Sequence, residues 1–466
     1  MQKTYTLPLI ATLGVLVIGG AATYRQRALT LRLPPPTAAP AQSAPRLPSP
    51  PPPLSAAVQA QEAPLRAAVT VNPKGFAPRW DLVAFYGRTG QTVKAAEQVD
   101  AIDRLNPQDA PSRMALGNTR MLLHQPRRAE SDYRRVIVRQ PRSAPAWQGL
   151  ATTLVQQRRY FEAKQAAQKA VALAPANAGG HLILASAALE YALQFPSSIS
   201  RGADLTLAQS EYKRVLQVLP SNAHVYFEMG RAAYGLEDAD ASARDFSRSL
   251  QLDPQQDIYW EAAQAYIKKN DRVTAQKLAE EGLRRYPSDS SLHDLRGTLL
   301  QTGTAPDADA QALAEFQKAA LLAPGDASFQ SHLGTAYLKT GNMAAAQTAF
   351  ETALRLDPSR PFDLQQLAGI YTRQGDPARA SQAARQAKGM IFNSQQMQQI
   401  QSLLVVHPDS IPLHLILADR YRDLGIAGPA RDEYLLVQRL DPSNVRARVA
   451  LTASATPAKS GAKSPP

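Results

Sequence analysis

The stretch ASFQSHLGTAYLKTGNMAAAQTAFETALRLDP, residues 327–358, decides the fold of this chain. Counted from Ala327, its eighth residue is Gly334, its twentieth is Ala346 and its thirty-second is Pro358. Two helices that cross closely need a small residue on each where their backbones meet. Proline removes a backbone donor and ends the helix before it. The stretch therefore predicts two packed helices followed by a stop.

The same pattern recurs along the chain with a period of 34 residues. The eighth position holds a small residue in every copy except the first, which has Val83, and the twentieth holds Ala or Ser throughout. Proline occupies the thirty-second position in nine copies. Repetition at such a period predicts a stacked array rather than one compact core. The copies start near Phe76, Ala110, Ala144, Ala178, Ala223, Gln256, Ser290, Ala327, Pro361 and Ile411.

At these positions the chain resembles the tetratricopeptide repeat family. The resemblance implies an all-α fold, a right-handed α-solenoid of about ten antiparallel helix pairs over residues 76–448, in which each pair packs only on its neighbours. In this family the first helices line a concave surface, and repeat positions 2, 5, 9, 12 and 13 face into it.

Carrying those positions over gives a candidate site that is apolar or aromatic at position 5 in most of the first six copies. An apolar stripe that the core does not consume can bind an extended peptide or an amphipathic helix. The alternative is that these side chains pack against the neighbouring repeat. Relatives that hold acidic carboxyl tails use lysine at position 5, and Met114 replaces it here. The predicted partner-binding residues are Trp80, Met114, Asn118, Leu182, Phe227, Arg231, Tyr234, Trp260, Gln264 and Lys268.

The region before the repeats predicts an anchor and a spacer. No residue between Lys3 and Arg25 is charged, and the apolar run within residues 1–24 fits either a membrane anchor or a cleaved signal peptide. Ten of the twenty residues at 34–53 are proline, so residues 25–75 are expected to be a Pro-rich disordered linker. Residues 449–466 are expected to be a disordered tail.

Charge and composition bear on the class of function. The formal charge is +13, of which residues 76–448 carry +5, and we interpret that as an ordinary solvated surface rather than a nucleic-acid track. There is no cysteine, and no phosphate-binding loop, nucleophile elbow or zinc-binding helix motif occurs. We therefore expect no enzyme activity, no cofactor and no metal site. His181, His293 and His414 share the fourth repeat position, which indicates repeat decoration rather than ligands.

Three departures from the repeat predict local irregularities. An extra loop of about eleven residues is expected around 191–204, and three added residues near Pro306. Residues 393–408 are expected to form a single helix without a partner, with Met397, Ile400 and Leu404 on one face. That face either packs into the stack or serves as a docking or dimerisation surface.

We expect, in sum, a membrane-tethered scaffold that binds a peptide or helix of another protein in an envelope complex. Its body is placed on the extracytoplasmic, periplasmic side, with a cytoplasmic location as the alternative. A small-molecule substrate and nucleic acid are not expected as ligands. A nucleic-acid-binding helical repeat and an enzyme with a divergent site remain the alternatives to the scaffold.

Overall fold

A computed structural model describes residues 56–455, apart from 196–197, 199, 304–306, 408 and 424–426. Every regular element among these residues is an α-helix, and there are 22 of them. They divide into two compact units at the boundary between Asp253 and Pro254. Below, residues 56–253 are the amino-terminal unit and residues 254–455 are the carboxyl-terminal unit.

The amino-terminal unit contains a single helix followed by five helix pairs. Its elements are α1 (Ala56–Val71), α2 (Phe76–Arg88), α3 (Thr92–Arg104), α4 (Ala110–Leu122), α5 (Pro126–Arg139), α6 (Ala144–Gln156), α7 (Tyr160–Leu173), α8 (Ala178–Gln194), α9 (Arg201–Val218), α10 (Ala223–Gly235) and α11 (Ala239–Leu252).

The carboxyl-terminal unit contains five helix pairs followed by a single helix. Its elements are α12 (Gln256–Lys268), α13 (Arg272–Arg285), α14 (Ser290–Gln301), α15 (Ala308–Leu322), α16 (Ala327–Lys339), α17 (Met343–Leu356), α18 (Pro361–Arg373), α19 (Pro377–Val406), α20 (Ile411–Asp423), α21 (Ala427–Leu440) and α22 (Val445–Ala455).

The ten predicted repeat starts are confirmed, since each is the first residue of a helix. The small residues do the work expected of them where the two helices of a pair cross. A Cβ atom added at Gly117, the eighth residue of its repeat, would lie 2.9 Å from the ring of Tyr133 on the second helix of the same pair, and one added at Gly149, on the first helix of the next pair, would lie 2.4 Å from the same ring. Because real side chains do not approach so closely, these glycines admit the buried Tyr133 ring between α4, α5 and α6.

The first helices of successive pairs also contact one another within each unit. In the amino-terminal unit α4, α6, α8 and α10 form such a series, and in the carboxyl-terminal unit α12, α14 and α16 do. Among the described residues, neighbouring second helices make few such contacts or none. Within each unit the first helices are therefore the more closely spaced layer, as expected for the inner side of a curved stack.

A hydrogen bond at the fourth repeat position joins successive pairs. The side chain there donates to the carbonyl of the proline six residues earlier, in the turn that ends the preceding repeat. The proline carbonyl at a helix end has no partner within the helix, so the bond satisfies it. The bonds are Arg79–Pro73 (3.0 Å), Arg113–Pro107 (2.8 Å), Trp147–Pro141 (2.9 Å), His181–Pro175 (2.8 Å), His293–Pro287 (2.9 Å) and Arg448–Pro442 (2.9 Å).

Four of these side chains, and His414 at the same repeat position, bind an acceptor three residues after the small residue of the second helix. This acceptor is Gln98 for Arg79, Asp132 for Arg113, Glu211 for His181, Glu315 for His293 and Glu433 for His414. We call the position-4 side chain with its acceptors the position-4 clamp. Placing His181, His293 and His414 in the clamp confirms that these histidines recur as part of the repeat.

The linker prediction is wrong for residues 56–71, which form α1. Val58, Leu65 and Val69 of α1 pack on Leu82 and its buried neighbours in the first pair. The buried Glu62 accepts a hydrogen bond from the Tyr86 hydroxyl at 2.8 Å. The helix forms because its apolar side covers a surface that the first pair would otherwise expose to water. Residues 25–55 lie outside the described residues.

The tail prediction is wrong for residues 449–455, which belong to α22. Ala447, Ala450 and Leu451 pack on the last pair, against Val437 and Tyr434 of α21. The physical reason is the same as for α1, because an array of pairs leaves an apolar face at its end that a further helix can cover. Residues 456–466 lie outside the described residues.

The prediction of a separate helix at 393–408 is also wrong. Residues 377–406 form one continuous helix of 30 residues, α19, whose later part packs on α20. Met397, Ile400 and Leu404 are half-buried, while Leu403 is exposed. The missing terminal proline of the ninth repeat explains the continuity, since nothing in the sequence stops the helix there.

The insertion at 191–204 is mostly helix rather than loop. Helix α8 continues to Gln194 and α9 begins at Arg201, which lengthens both beyond the usual repeat. The Tyr191 ring contacts two other aromatic rings in tilted pairs. Its centroid lies 5.8 Å from that of Phe161 and 5.1 Å from that of Phe195. The addition near Pro306 lies at residues outside the described ones.

Within the described part of the chain, no helix is both long enough and apolar enough to cross a membrane. The predicted anchor or signal segment, residues 1–24, lies outside the described residues.

Candidate binding face

The ten predicted partner-binding residues all lie on first helices, and all are half-buried. Within each unit, we call this side of the first helices the groove face of that unit. Seven of the residues belong to the amino-terminal unit and three to the carboxyl-terminal unit. They are Trp80 on α2; Met114 and Asn118 on α4; Leu182 on α8; Phe227, Arg231 and Tyr234 on α10; and Trp260, Gln264 and Lys268 on α12.

The apolar residues of the predicted set pack on the core with one part of the side chain and expose the rest. Trp80 packs on the cluster around Val99 and Ile102, Met114 on the cluster around Leu150, and Leu182 on the cluster around Leu189. Each remains partly accessible. Packing against neighbouring helices, one of the two alternatives left by the sequence, is therefore seen for these side chains, and binding stays a prediction.

Helix α10 groups three of the predicted residues, spaced so that they share one face. The Phe227 ring lies 5.7 Å from the buried Phe246 ring, and the Arg231 guanidinium carbon lies 6.0 Å from the Phe227 ring. An arginine over an aromatic face adds a cation–π attraction. Phe227 is thus held in place on one side and accessible on the other.

Arg231 is one of the predicted partner-binding residues, but its charge is already paired within the protein. Its guanidinium lies 2.7 Å from Glu228 and 3.1 Å from Glu190, and its side chain is only 16% exposed. Burial acts to lower the pKa of Arg231, but the two carboxylates outweigh it and raise the pKa overall. A partner would have to share this guanidinium with Glu228 and Glu190. Sequence spacing alone did not reveal these partners, which come from other positions and another helix.

Asn118 on α4 and two of the predicted residues on α12 contribute polar groups to the groove face. The side-chain oxygen of Asn118 accepts a hydrogen bond from the Tyr133 hydroxyl at 2.8 Å, which orients its amide. Trp260, Gln264 and Lys268 follow one another at four-residue intervals, so they line one side of α12. An aromatic side chain followed along the helix by an amide and a cation is suited to contacts with a peptide.

Further along the carboxyl-terminal unit, the groove face is polar and internally paired. His332 lies 2.7 Å from Asp294, and burial lowers the His332 pKa less than Asp294 raises it, so the pKa is raised overall. Ser331 hydrogen-bonds to the fully buried Asp363, which also pairs with Arg360 at 2.5 Å. The apolar character predicted for the first six repeats does not continue into these helices.

In the described part of the chain, no group of three His, Asp or Glu side chains is arranged to hold a metal ion.

Comparison with known proteins gives the same family on two separate stretches. Family models described as tetratricopeptide repeat match residues 114–178 in the amino-terminal unit and residues 327–360 in the carboxyl-terminal unit. Among curated proteins, none matches the chain.

Several solved structures are similar to the chain. A tetratricopeptide repeat protein from Parabacteroides merdae is 14% identical over 56% of this chain and 98% of its own, with a TM-score of 0.41. A thermophilic tetratricopeptide repeat protein of Thermus thermophilus is 21% identical over 41% and 100%, with a TM-score of 0.32. Human IFIT1, solved as a dimer with PPP-AAAA, is 13% identical over 83% and 95%, with a TM-score of 0.39.

Similarity at these TM-scores carries no argument about ligand or role. The family assignment rests on the two matched stretches, one in each unit, which coincide with helix pairs of the predicted frame. This chain contains tetratricopeptide repeats in both of its units.

Proposed function

We propose that the protein is a non-catalytic scaffold that binds a peptide or amphipathic helix of another protein on its groove face. Tetratricopeptide repeats are typical of protein–protein interaction scaffolds. The observation that carries the proposal is the half-buried state of Phe227 and Trp260 on first helices. A rigid, partly exposed aromatic side chain is the kind of anchor on which binding energy concentrates.

The proposal extends to a tether and a location. The uncharged segment within residues 1–24 would hold the repeats at a membrane, with the body on the extracytoplasmic side and a role in assembling an envelope complex. What supports the tether is the sequence of that segment, because its length and apolar character suit a single span.

The experiment compares Phe227→Ala and Trp260→Ala, tested singly, with Phe161→Ala as a matched control. Phe161 is 50% exposed and lies on a second helix, away from the groove face. The partner is first identified by crosslinking in the native cell and then purified. Each groove variant should weaken its binding by about 1 kcal/mol or more, because an anchor is truncated, while the circular dichroism melt stays nearly unchanged.

The control variant should bind as the unmodified chain does. If binding and melting temperature fall together in both groove variants, these aromatics serve the core and the proposal fails. If all three variants bind equally well, the partner docks elsewhere.

A further inference from the structure

Positive charge is concentrated in one part of the repeat array. Residues 104–159 contain eleven arginines, no lysine and three acidic residues, a net charge of +8. Because residues 76–448 total +5, the rest of that range has a net charge of −3. The interpretation of an evenly solvated body is therefore wrong, since a single segment holds the excess.

Five of these arginines line a cleft on the side of the second helix α5. The cleft has a volume of about 700 Å³ and lies between α5 and the turn that joins α3 to α4. Arg127, Arg134, Arg135 and Arg139 contribute to it from α5, and Arg113 contributes from α4. Arg127 and Arg134 are seven residues apart and Arg135 and Arg139 are four apart, so each of these two pairs lies on one side of the helix.

Three of the five cleft arginines have no close acidic partner among the described residues. Arg127 makes no ion pair with any described residue, and Arg135 has only Asp103 at 3.9 Å. Asp103 is already bound more closely by Arg113 at 2.6 Å and by Arg120 at 2.7 Å. The Arg139 guanidinium hydrogen-bonds to the neutral amide of Gln108.

Glu130, the acidic residue that lines the cleft, is also engaged. It receives Arg134 at 2.9 Å, Arg159 at 2.8 Å and the amide of Gln157 at 2.9 Å. It therefore has little capacity left to neutralise the other arginines.

The sequence of α5 works against its own helix. Its first turn carries Arg127 and Arg128 and no acidic residue, which opposes the helix dipole. Arg135 and Arg139 repel each other across one turn. Local rules broken without a gain inside the fold are expected where a protein binds a ligand, and here a bound anion would relieve both costs.

We propose that this cleft binds an acidic segment of a partner protein, at a site separate from the groove face. Guanidinium forks match carboxylates in bidentate geometry, which suits a set made only of arginine. Val138 lines the cleft beside them and is 80% exposed, so the site also offers an apolar contact. The α5 face from Arg127 to Arg139 is about 18 Å long, equal to about five extended residues.

The positive charge of the cleft also limits which molecules could bind there. Residues 1–55 and 456–466 of this chain contain no acidic residue and several basic ones, so they do not complement the cleft. A nucleic-acid strand prefers a continuous positive track, whereas the rest of residues 76–448 has a net charge of −3. A short acidic peptide fits a local cleft of this size.

The test measures binding of a fluorescein-labelled hexaglutamate peptide to the full chain by anisotropy at low salt. The double variant Arg135→Gln and Arg139→Gln is compared with Arg284→Gln and Arg285→Gln, which removes the same charge from exposed positions on α13. The cleft variant should bind about tenfold more weakly, because two charge-assisted contacts are lost, and the control about as well as the unmodified chain.

Phe227→Ala should bind this peptide normally, so the test does not depend on the groove-face proposal. Arg127→Gln provides a second cleft variant should the double variant have an altered circular dichroism melt. No measurable peptide binding, equal weakening in the α13 control, or loss in Phe227→Ala would each overturn the proposal. It would also be overturned if a single-stranded oligonucleotide bound more tightly than the peptide and lost its binding in the same cleft variant.

Discussion

The position-4 clamp is built with different chemistry in the two units. In the second repeat Arg113 donates to Pro107 and pairs with Asp132, and in the seventh repeat His293 donates to Pro287 and pairs with Glu315. Both clamps join a first helix to the preceding turn and to its own second helix. The comparison shows that the same clamp can be built from different donor and acceptor residues.

The two clamps differ in how much charge they bury. Asp132 is 1% exposed and holds two guanidinium groups, those of Arg113 and Arg120, whose side chains are each 4% exposed. Glu315 is also buried, yet two of its partners, Arg296 and Lys318, reach solvent. Removing the acid should therefore cost more in the second repeat, since buried charges left unpaired are expensive.

The largest effect is expected for Asp132→Ala. It leaves Arg113 and Arg120 buried with only Asp103 and a weaker contact to Asp100 as counter-charges, so the free energy of unfolding should fall by about 3–5 kcal/mol. Denaturant unfolding measures the loss, and hydrogen exchange at α4 and α5 locates it. Asp100→Ala, which removes a more exposed partner of Arg128, should cost no more than about 1 kcal/mol. Equal costs for the two variants would contradict the role assigned to Asp132.

A smaller, pH-dependent effect is expected for Glu315→Gln. Burial acts to raise the pKa of Glu315, but hydrogen bonds from His293 and Lys318 and the charge of Arg296 lower it overall. Because the pKa is lower in the folded than in the unfolded chain, the ionised carboxylate stabilises the fold above its ordinary pKa of about 4.5. The variant should lose about 2 kcal/mol at neutral pH, and the difference should shrink as the pH falls through the lowered pKa. Melts across an acidic pH series test this, and a difference that does not change with pH would contradict it.

The fifth repeat offers an incomplete version of the clamp and the smallest effect. It has Tyr226 at position 4, and Asp245 at the acceptor position forms no hydrogen bond or close ion pair with a described residue. Burial, only partly offset by the charges of Arg244 and Lys213, raises the pKa of Asp245 to about 6. Because the folded chain holds this proton more tightly than the unfolded chain, stability is lost as the pH rises through about 6.

Asp245→Asn should therefore stabilise the protein by about 1 kcal/mol at neutral pH, a figure reduced for the partial exposure of the group. The gain should disappear near pH 3, below the ordinary aspartate pKa of 3.8, where Asp245 is mostly protonated in both the folded and the unfolded chain. Paired melts at the two pH values measure it, with Asp253→Asn in the following turn as a control for lost charge. A variant that is less stable than the unmodified chain at neutral pH would show that Asp245 has a structural partner.

The repeat frame could be predicted from the sequence because its signals are local and redundant. Gly334, Ala346 and Pro358 each report a separate steric requirement, and the repetition of these columns along the chain placed the starts of all ten first helices. The covering helices could not be placed this way. Helix α1 lacks the repeat pattern and contains Pro64, so it reads as linker until its contacts with Leu82 and Phe85 are known.

The candidate site was predictable in position but not in electrostatics. Repeat numbering placed Phe227 and Trp260 on first helices, where they are half-buried. The pairing of Arg231 with Glu190 depends on how α8 lies beside α10, a distance that numbering does not give. The arginine cleft had a signal in the sequence, the run of arginines in 104–159, but a total charge averaged over the array conceals it.

Helices α1 and α22 close the two open faces that a stack of pairs leaves at its ends. A repeat gained by duplication at either end would have to displace a fitted helix before it could bury its own apolar side. A repeat gained between two existing pairs meets a matching surface on both sides. The packing of α1 and α22 thus favours growth of the array from within over addition at either covered face.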